Sequence, residues 1–285
     1  MKFYNFVRCC VVAACLALIG CASSPYQKEN KQLSDSKLQM QIAQAKEILA
    51  SSIEPRILYA GFAMHAQSKA FRQDVLLGAK AVQRMDTQAI VFKLANPVLG
   101  QEADLPYATR ENIEQVLDEL GRLARPQDKI VLLLSTHGNK EILAVNAGNQ
   151  DYGVVSATDL QKWLLKLNSK PVVLALSACY SGSFIAPLKN ANRIILTAAD
   201  KDRSSFGCAY ESTNTFFVKE AFGESFDLQK SLLEVFESAK TNIDRKEKRM
   251  NLSPPSNPQV EVGTSLKELA AAPLSKLRDF AVKQP

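Results

Sequence analysis

Two short stretches carry the residue types that nucleophilic chemistry needs. The run from Pro171 to Leu176 is apolar and stops at Ser177-Ala178-Cys179, and a turn-rich Tyr180-Ser181-Gly182-Ser183-Phe184 follows. Upstream, the run from Lys129 to Leu134 ends at Ser135-Thr136-His137-Gly138. A buried strand that stops at a thiol and then turns presents that thiol at a sheet edge. A thiol with a pKa near ~8.5 is mostly protonated at neutral pH. An imidazole at the end of a neighbouring strand can take that proton or pair with the thiolate. The pattern points to a Cys–His hydrolase, with Cys179 as nucleophile and His137 as base. Acyl transfer also needs N–H donors aimed at the developing oxyanion. The amides of Gly138 and Cys179 are the natural pair, and Gly182 lets the chain turn away from the thiol. Each residue alone has a plainer reading, a buried small side chain for the Cys and a structural one for the His. Their joint position at two strand ends, each beside a glycine, supports the chemical reading.

The elements that must position them alternate. Ile57 to Phe62 reads as a strand, Lys69 to Met85 as a helix with Val75, Leu76, Ala79 and Val82 on one face, and Ala89 to Leu94 as a second strand. Thr109 suits the cap of a helix running to about Leu123. Lys129 to Ser135 is the third strand, and Ile142 to Val155 reads as a small hairpin or arm. Ser156 and Asp159 suit the start of a helix carrying Leu160, Trp163, Leu164 and Leu167. Pro171 to Leu176 and Arg193 to Ala198 are the next strands. A long helical region from Thr215 to Arg249, interrupted near Gly223, precedes a short strand at Gln259 to Val262, and Leu266 to Val282 closes as a helix. Strands alternating with helices predict a mainly parallel α/β sheet with helices on both faces. Right-handed crossovers gather the strand C-termini at one edge, where such sheets carry their sites.

Length and composition fit that domain. The chain has 285 residues and a net charge of +6, spread along its length. The one denser basic patch, Arg245-Lys246-Glu247-Lys248-Arg249, reads as a solvated helix end, so no nucleic-acid partner is expected. With 2 histidines and no ligand-spaced cluster, neither a metal nor another cofactor is expected. Trp163 and Cys208 read as packed core residues. His65, just past the first strand, reads as a structural or surface histidine that lies near enough to approach the site.

The N-terminus reads as a leader. Lys2 and Arg8 precede an apolar stretch from Cys9 to Ile19 that is shorter than the ~20 residues of a membrane span. It ends in Leu18-Ile19-Gly20-Cys21, which resembles the bacterial lipobox. That resemblance implies cleavage after residue 20, acylation of Cys21 and a membrane anchor, since two or more acyl chains hold stably at ~0.8 kcal/mol per buried methylene. Ala22 favours the outer membrane, facing the periplasm of a bacterial envelope. The expected organisation is a leader over 1–20, a lipid-anchored tether and short helix over 21–54, and a catalytic domain over 55–285. Leu38, Ile42, Ala45 and Leu49 mark the helix. Of the 6 cysteines, only Cys179 and Cys208 would remain as thiols in the mature chain.

Ser135-Thr136-His137-Gly138-Asn139 and Ser177-Ala178-Cys179-Tyr180-Ser181-Gly182-Ser183-Phe184 resemble the two active-site motifs of the legumain-like cysteine peptidases. Thr197-Ala198-Ala199 followed by Arg203-Ser204-Ser205-Phe206-Gly207-Cys208 resembles the family segment after the next strand. The likeness runs from about Ile57 to Phe222 and is closest to a bacterial lipoprotein branch. It implies a caspase-like three-layer α/β sandwich, a His137/Cys179 dyad with Gly138 in the oxyanion hole, no metal, and a peptide or protein substrate. Legumains carry an acidic residue two before the Cys that helps form an asparagine pocket. Ser177 stands there, so asparagine preference does not carry over. Arg72, Ser177, Ser204 and Ser205 are the substrate-pocket candidates, and Ser68 is a candidate to orient the His. The expected activity is cleavage of peptide bonds through an acyl-enzyme. The alternatives are a transamidase using the same dyad and a catalytically idle envelope scaffold.

Overall fold

The structure, a computed structural model, describes residues 25–98, 104–148, 150–209 and 211–282. The elements in chain order are α1 (Pro25–Ala50), β1 (Ile57–Ala63), α2 (Lys69–Met85), β2 (Ile90–Ala95), α3 (Arg110–Leu123), β3 (Lys129–Ser135), β4 (Gly138–Asn139), β5 (Ile142–Ala147), β6 (Gln150–Ser156), α4 (Ala157–Trp163), β7 (Val172–Ser177), α5 (Ile185–Leu188), β8 (Arg193–Thr197), α6 (Phe216–Lys219), α7 (Leu232–Arg249), β9 (Gln259–Val262) and α8 (Lys267–Ala271). Six strands form one sheet in the order β2-β1-β3-β7-β8-β9. Neighbours are parallel except β9, which runs antiparallel to β8.

Successive strand residues point to opposite faces, and the two cores follow that period. Leu58, Ala60, Phe62, Ile130, Leu132 and Leu134 join one cluster with α1, α3 and α4. Ile57, Tyr59, Val131 and Leu133 join the other with α2, α6 and α7. A sheet buried on both faces explains why β3 and β7 read as continuous apolar runs. The expected α/β sandwich is the observed one.

The helix starts follow the sequence closely. Thr109 Oγ1 accepts from the Asn112 N–H at 3.3 Å, and Ser156 and Asp159 form a reciprocal capping box. α1 is longer than a short helix and is docked. Leu38, Ile42 and Ala45 are buried, and the Gln41 side-chain amide exchanges hydrogen bonds with the Lys93 backbone at 3.0 and 3.2 Å. Lys93 lies in β2, an outer strand of the sheet, so α1 covers a sheet edge that is otherwise free to pair. Among the described residues, no helix is long and apolar enough to cross a membrane. The leader and Cys21 lie outside the described residues.

The interruption expected near Gly223 is present: α6 passes into a π-helical turn at Glu220–Glu224, and α7 starts afresh at its own cap, Ser231. Two expectations need correction. The C-terminal helix stops at Ala271, because Pro273 offers no N–H and biases Ala272 to the extended backbone it adopts. The arm is a three-stranded antiparallel sheet, β4-β5-β6, whose first strand begins at the residue after His137.

Candidate active site

β3 and β7 are adjacent and parallel, with Ser135 opposite Ser177. The Thr136 N–H continues the ladder to the Ser177 carbonyl at 3.1 Å. His137 and Cys179 follow those paired serines at the same interval, so the two strand ends bring the imidazole-bearing and thiol-bearing turns side by side. Both residues are half-buried. Burial lowers the His137 pKa, which keeps its imidazole neutral and able to accept a proton near pH 7.

Gly138 and Gly182 are required by close approach. A Cβ at 138 would lie 2.7 Å from the Cys179 carbonyl oxygen, and one at 182 would lie 2.6 Å from the Lys201 nitrogen. The left-handed residue of the nucleophile turn is Tyr180, at φ 57°, and its N–H donates to the Arg203 carbonyl at 2.7 Å. The chain therefore turns away at Tyr180, and Gly182 admits the neighbouring loop. That loop returns to the thiol. Cys179 Sγ accepts from the Ser205 N–H at 3.3 Å and faces the Ser205 hydroxyl at 3.7 Å. The Cys179 thiol in turn donates to the Ser205 carbonyl at 3.6 Å, so Ser205 surrounds the sulfur with both donors and an acceptor.

The remaining candidates fall in different places. Ser177 is buried, with its hydroxyl 2.8 Å from Thr215 Oγ1. Arg72 is ion-paired with Asp104. Ser204 is half-buried beside Ser205. Only Ser205 of the four has a polar contact with Cys179. Ser68 caps α2 and donates to the Ala209 carbonyl at 3.1 Å, so its hydroxyl is already engaged. His65 does reach the site: its ring packs edge-on against His137, with centroids 4.7 Å apart, and Phe71 meets His137 at 5.0 Å. Burial, with His137 beside it, lowers the His65 pKa to about 4. Cys208 is half-buried, and burial raises its thiol pKa. Among the described residues, no group of three or more His, Cys, Asp or Glu side chains comes together to hold a metal ion.

One residue beneath the site escaped the sequence reading. Asp74, on α2, is fully buried. Its Oδ2 accepts from the hydroxyls of Ser135 and Thr215, both at 2.7 Å. Its Oδ1 accepts from Asn214 Nδ2 at 3.0 Å and the Thr215 N–H at 3.1 Å. Burial pushes its carboxyl up to about 7, against the pull of these donors. The signal in the sequence was an acid on an apolar stripe: Asp74 shares the buried face of α2 with Phe71, Val75, Gly78 and Val82.

A family profile described as the Peptidase C13 family matches residues 114–265, just over half of the chain, and spans both His137 and Cys179. Among solved structures, the chain is similar to caspase-1 from Spodoptera frugiperda, with a TM-score of 0.52 and 11% identity, covering 74% of this chain and 89% of that one. At that identity the likeness concerns the fold alone. No curated protein matches the chain.

Proposed function

The chain belongs to the C13 peptidase family, and from that premise we propose that it is a cysteine endopeptidase working through His137 and Cys179. The observation that carries this reading is the pairing of Ser135 with Ser177, which sets the His and Cys turns next to each other at the C-terminal edge of the sheet. In the proposed reaction, neutral His137 takes the thiol proton and the Cys179 sulfur attacks the scissile carbonyl. The amides of Gly138 and Cys179 receive the oxyanion. The imidazolium then gives its proton to the leaving amine, and water releases the acyl group. The Ser205 N–H and hydroxyl stabilise the sulfur before attack.

The proposal extends to the lipoprotein branch and to location. The Leu18-Ile19-Gly20-Cys21 signature supports acylation at Cys21 and anchoring to a bacterial outer membrane on the periplasmic side. Ser177 stands where legumains carry their acidic residue and is buried against Thr215 rather than lining a pocket, so this position supplies no acidic group to read asparagine.

A peptide-library digest tests the activity. Cys179→Ala and His137→Ala are each expected to abolish cleavage, and undiminished cleavage in both overturns the reading. Product masses separate transfer to water from transfer to an added amine. Cys21→Ser is expected to release the protein from the membrane fraction. Retention there overturns the anchor.

A further inference from the structure

Asp74 ties together the three segments on which the proposed site depends. Ser135 ends β3, two residues before His137. Ser177 ends β7, two residues before Cys179. Thr215 closes the loop whose Ser205 touches the Cys179 sulfur. Asp74 Oδ2 receives the hydroxyl hydrogens of Ser135 and Thr215. Since Thr215 gives its only hydroxyl hydrogen to Asp74, the 2.8 Å contact between Ser177 and Thr215 runs from the Ser177 O–H to Thr215 Oγ1. One carboxylate thus holds the His strand directly, and the Cys strand and the loop through Thr215.

The chemistry of this hub is unusual for a fold device. A buried carboxylate is costly unless it is compensated, and every donor to this one is neutral. The titratable groups that feel its charge are Tyr59 on β1 and Cys208 on the loop before α6. Neither is a cation. The site suits either form of the group: above its pKa of about 7 the two oxygens accept all four donors, and below it the carboxyl proton is given to the Ser135 or Thr215 hydroxyl, which turns to accept, so the same partners are kept at pH 6 and pH 9. An alanine would leave a buried void with four unmatched groups. An asparagine keeps the shape: its Oδ1 retains the Asn214 and Thr215 N–H donors, and its Nδ2 faces two hydroxyls that can turn to accept.

We infer that Asp74 is a positioning residue of this site, fixing the separation of the His137 and Cys179 turns through Ser135, Thr215 and Ser177. The inference rests on the His137/Cys179 reading and does not make Asp74 a participant in the chemistry.

The test is alkylation of Cys179 by iodoacetamide in the folded full chain, followed residue by residue by mass spectrometry at pH 6 and pH 9. At pH 9 a free thiol ionises unaided, so the ratio of the rate at pH 6 to that at pH 9 reports help from a well-placed base. His137→Ala should lower that ratio by at least about tenfold. Asp74→Ala should lower it by a similar factor, and Asp74→Asn should stay within about threefold of wild type. A purely structural role would shift the melting temperature of Asp74→Ala and leave the ratio alone. A folded Asp74→Ala with the wild-type ratio, when His137→Ala has lost it, overturns the role of Asp74 and leaves the dyad standing. A wild-type ratio in His137→Ala overturns both. If Asp74→Ala does not fold, the Ser135→Ala/Ser177→Ala double variant cuts both strand arms while the carboxylate keeps Asn214 and Thr215. It should show the tenfold loss, and a wild-type ratio there overturns the inference.

Discussion

Gly138 lies so close to the carbonyl oxygen of Cys179 that a methyl group at 138 would stand 2.7 Å from it and 3.0 Å from the Ala178 Cβ. The first of these is backbone, which cannot swing aside. Gly138→Ala must therefore push the His and Cys turns apart. Overpacking of this kind costs ~1–3 kcal/mol, which a chain with two extensive cores can absorb. Reactive groups displaced by ~1 Å lose about 10²-fold in rate. The expected variant is folded, with a modestly lowered melting temperature and a Cys179 alkylation rate at pH 6 reduced about 10²-fold. A folded Gly138→Ala with wild-type alkylation would show that the approach of the two turns does not govern the thiol.

Much of this site was legible in the sequence because strand ends are. The runs ending at Ser135 and Ser177 are apolar throughout, since both sheet faces are covered, and their abrupt stops mark the edge where side chains emerge. Burial of Ser177 and the ion pair of Arg72 were not legible. Both depend on contacts distant in sequence, with Thr215 and Asp104. Asp74 was hidden in the same way. The interruption near Gly223 was legible, and the cap at Ser231 marks where α7 starts. Tyr180 gave no signal for its positive φ, because local sequence favours Gly182 for the turn and the packing against Lys201 claims that glycine instead.

Burial of Asp74 has a measurable effect on stability. Its folded pKa, about 7, lies above the ~3.9 of a free aspartate. The folded state therefore holds this proton more tightly than the unfolded state between those values. The contribution is fully present below about pH 4 and is lost as pH rises through about 7. Each tenfold change in proton affinity is worth ~1.4 kcal/mol, so the total is at most a few kcal/mol. Asp74→Asn cannot ionise and keeps the shape, so it should melt above wild type at pH 8 and alongside it at pH 4. If it melts lower than wild type at both, the four donors outweigh the cost of burying the charge.

His65 works in the opposite direction. Its pKa is lowered to about 4 in the fold from ~6.5 for a free imidazole. Its contribution is present above about pH 6.5 and lost as pH falls through about 4. Phenylalanine at this position preserves the edge-on ring against His137 and removes the titration. His65→Phe should therefore lose less stability than wild type between pH 6.5 and 4, measured by urea unfolding at several pH values. Asp74 gains stability over the same interval and His137, whose pKa burial also lowers, loses it, so the wild-type curve should be flatter than that of Asp74→Asn. Parallel curves for His65→Phe and wild type would mean that the ring is not held neutral.

α1 is expected to behave as part of the domain. Leu38 is buried to 1% exposure in the cluster that also holds Phe92 and Leu94 of β2. One turn further on, Gln41 occupies the N–H and C=O of Lys93 on the outer edge of that strand. Leu38→Ala should cost ~2–5 kcal/mol and Gln41→Ala ~1 kcal/mol, read from urea unfolding. Because both act on β2 through one helix, the double variant should depart from the sum. Removing residues 1–52 exposes the apolar face of the sheet and an unpaired strand edge together, which favours strand pairing between chains. Sedimentation of that truncated chain should show self-association and its melting temperature should fall. A truncated chain that stays monomeric with an unchanged melting temperature would make residues 25–50 a tether resting against the sheet, with the domain complete from residue 55.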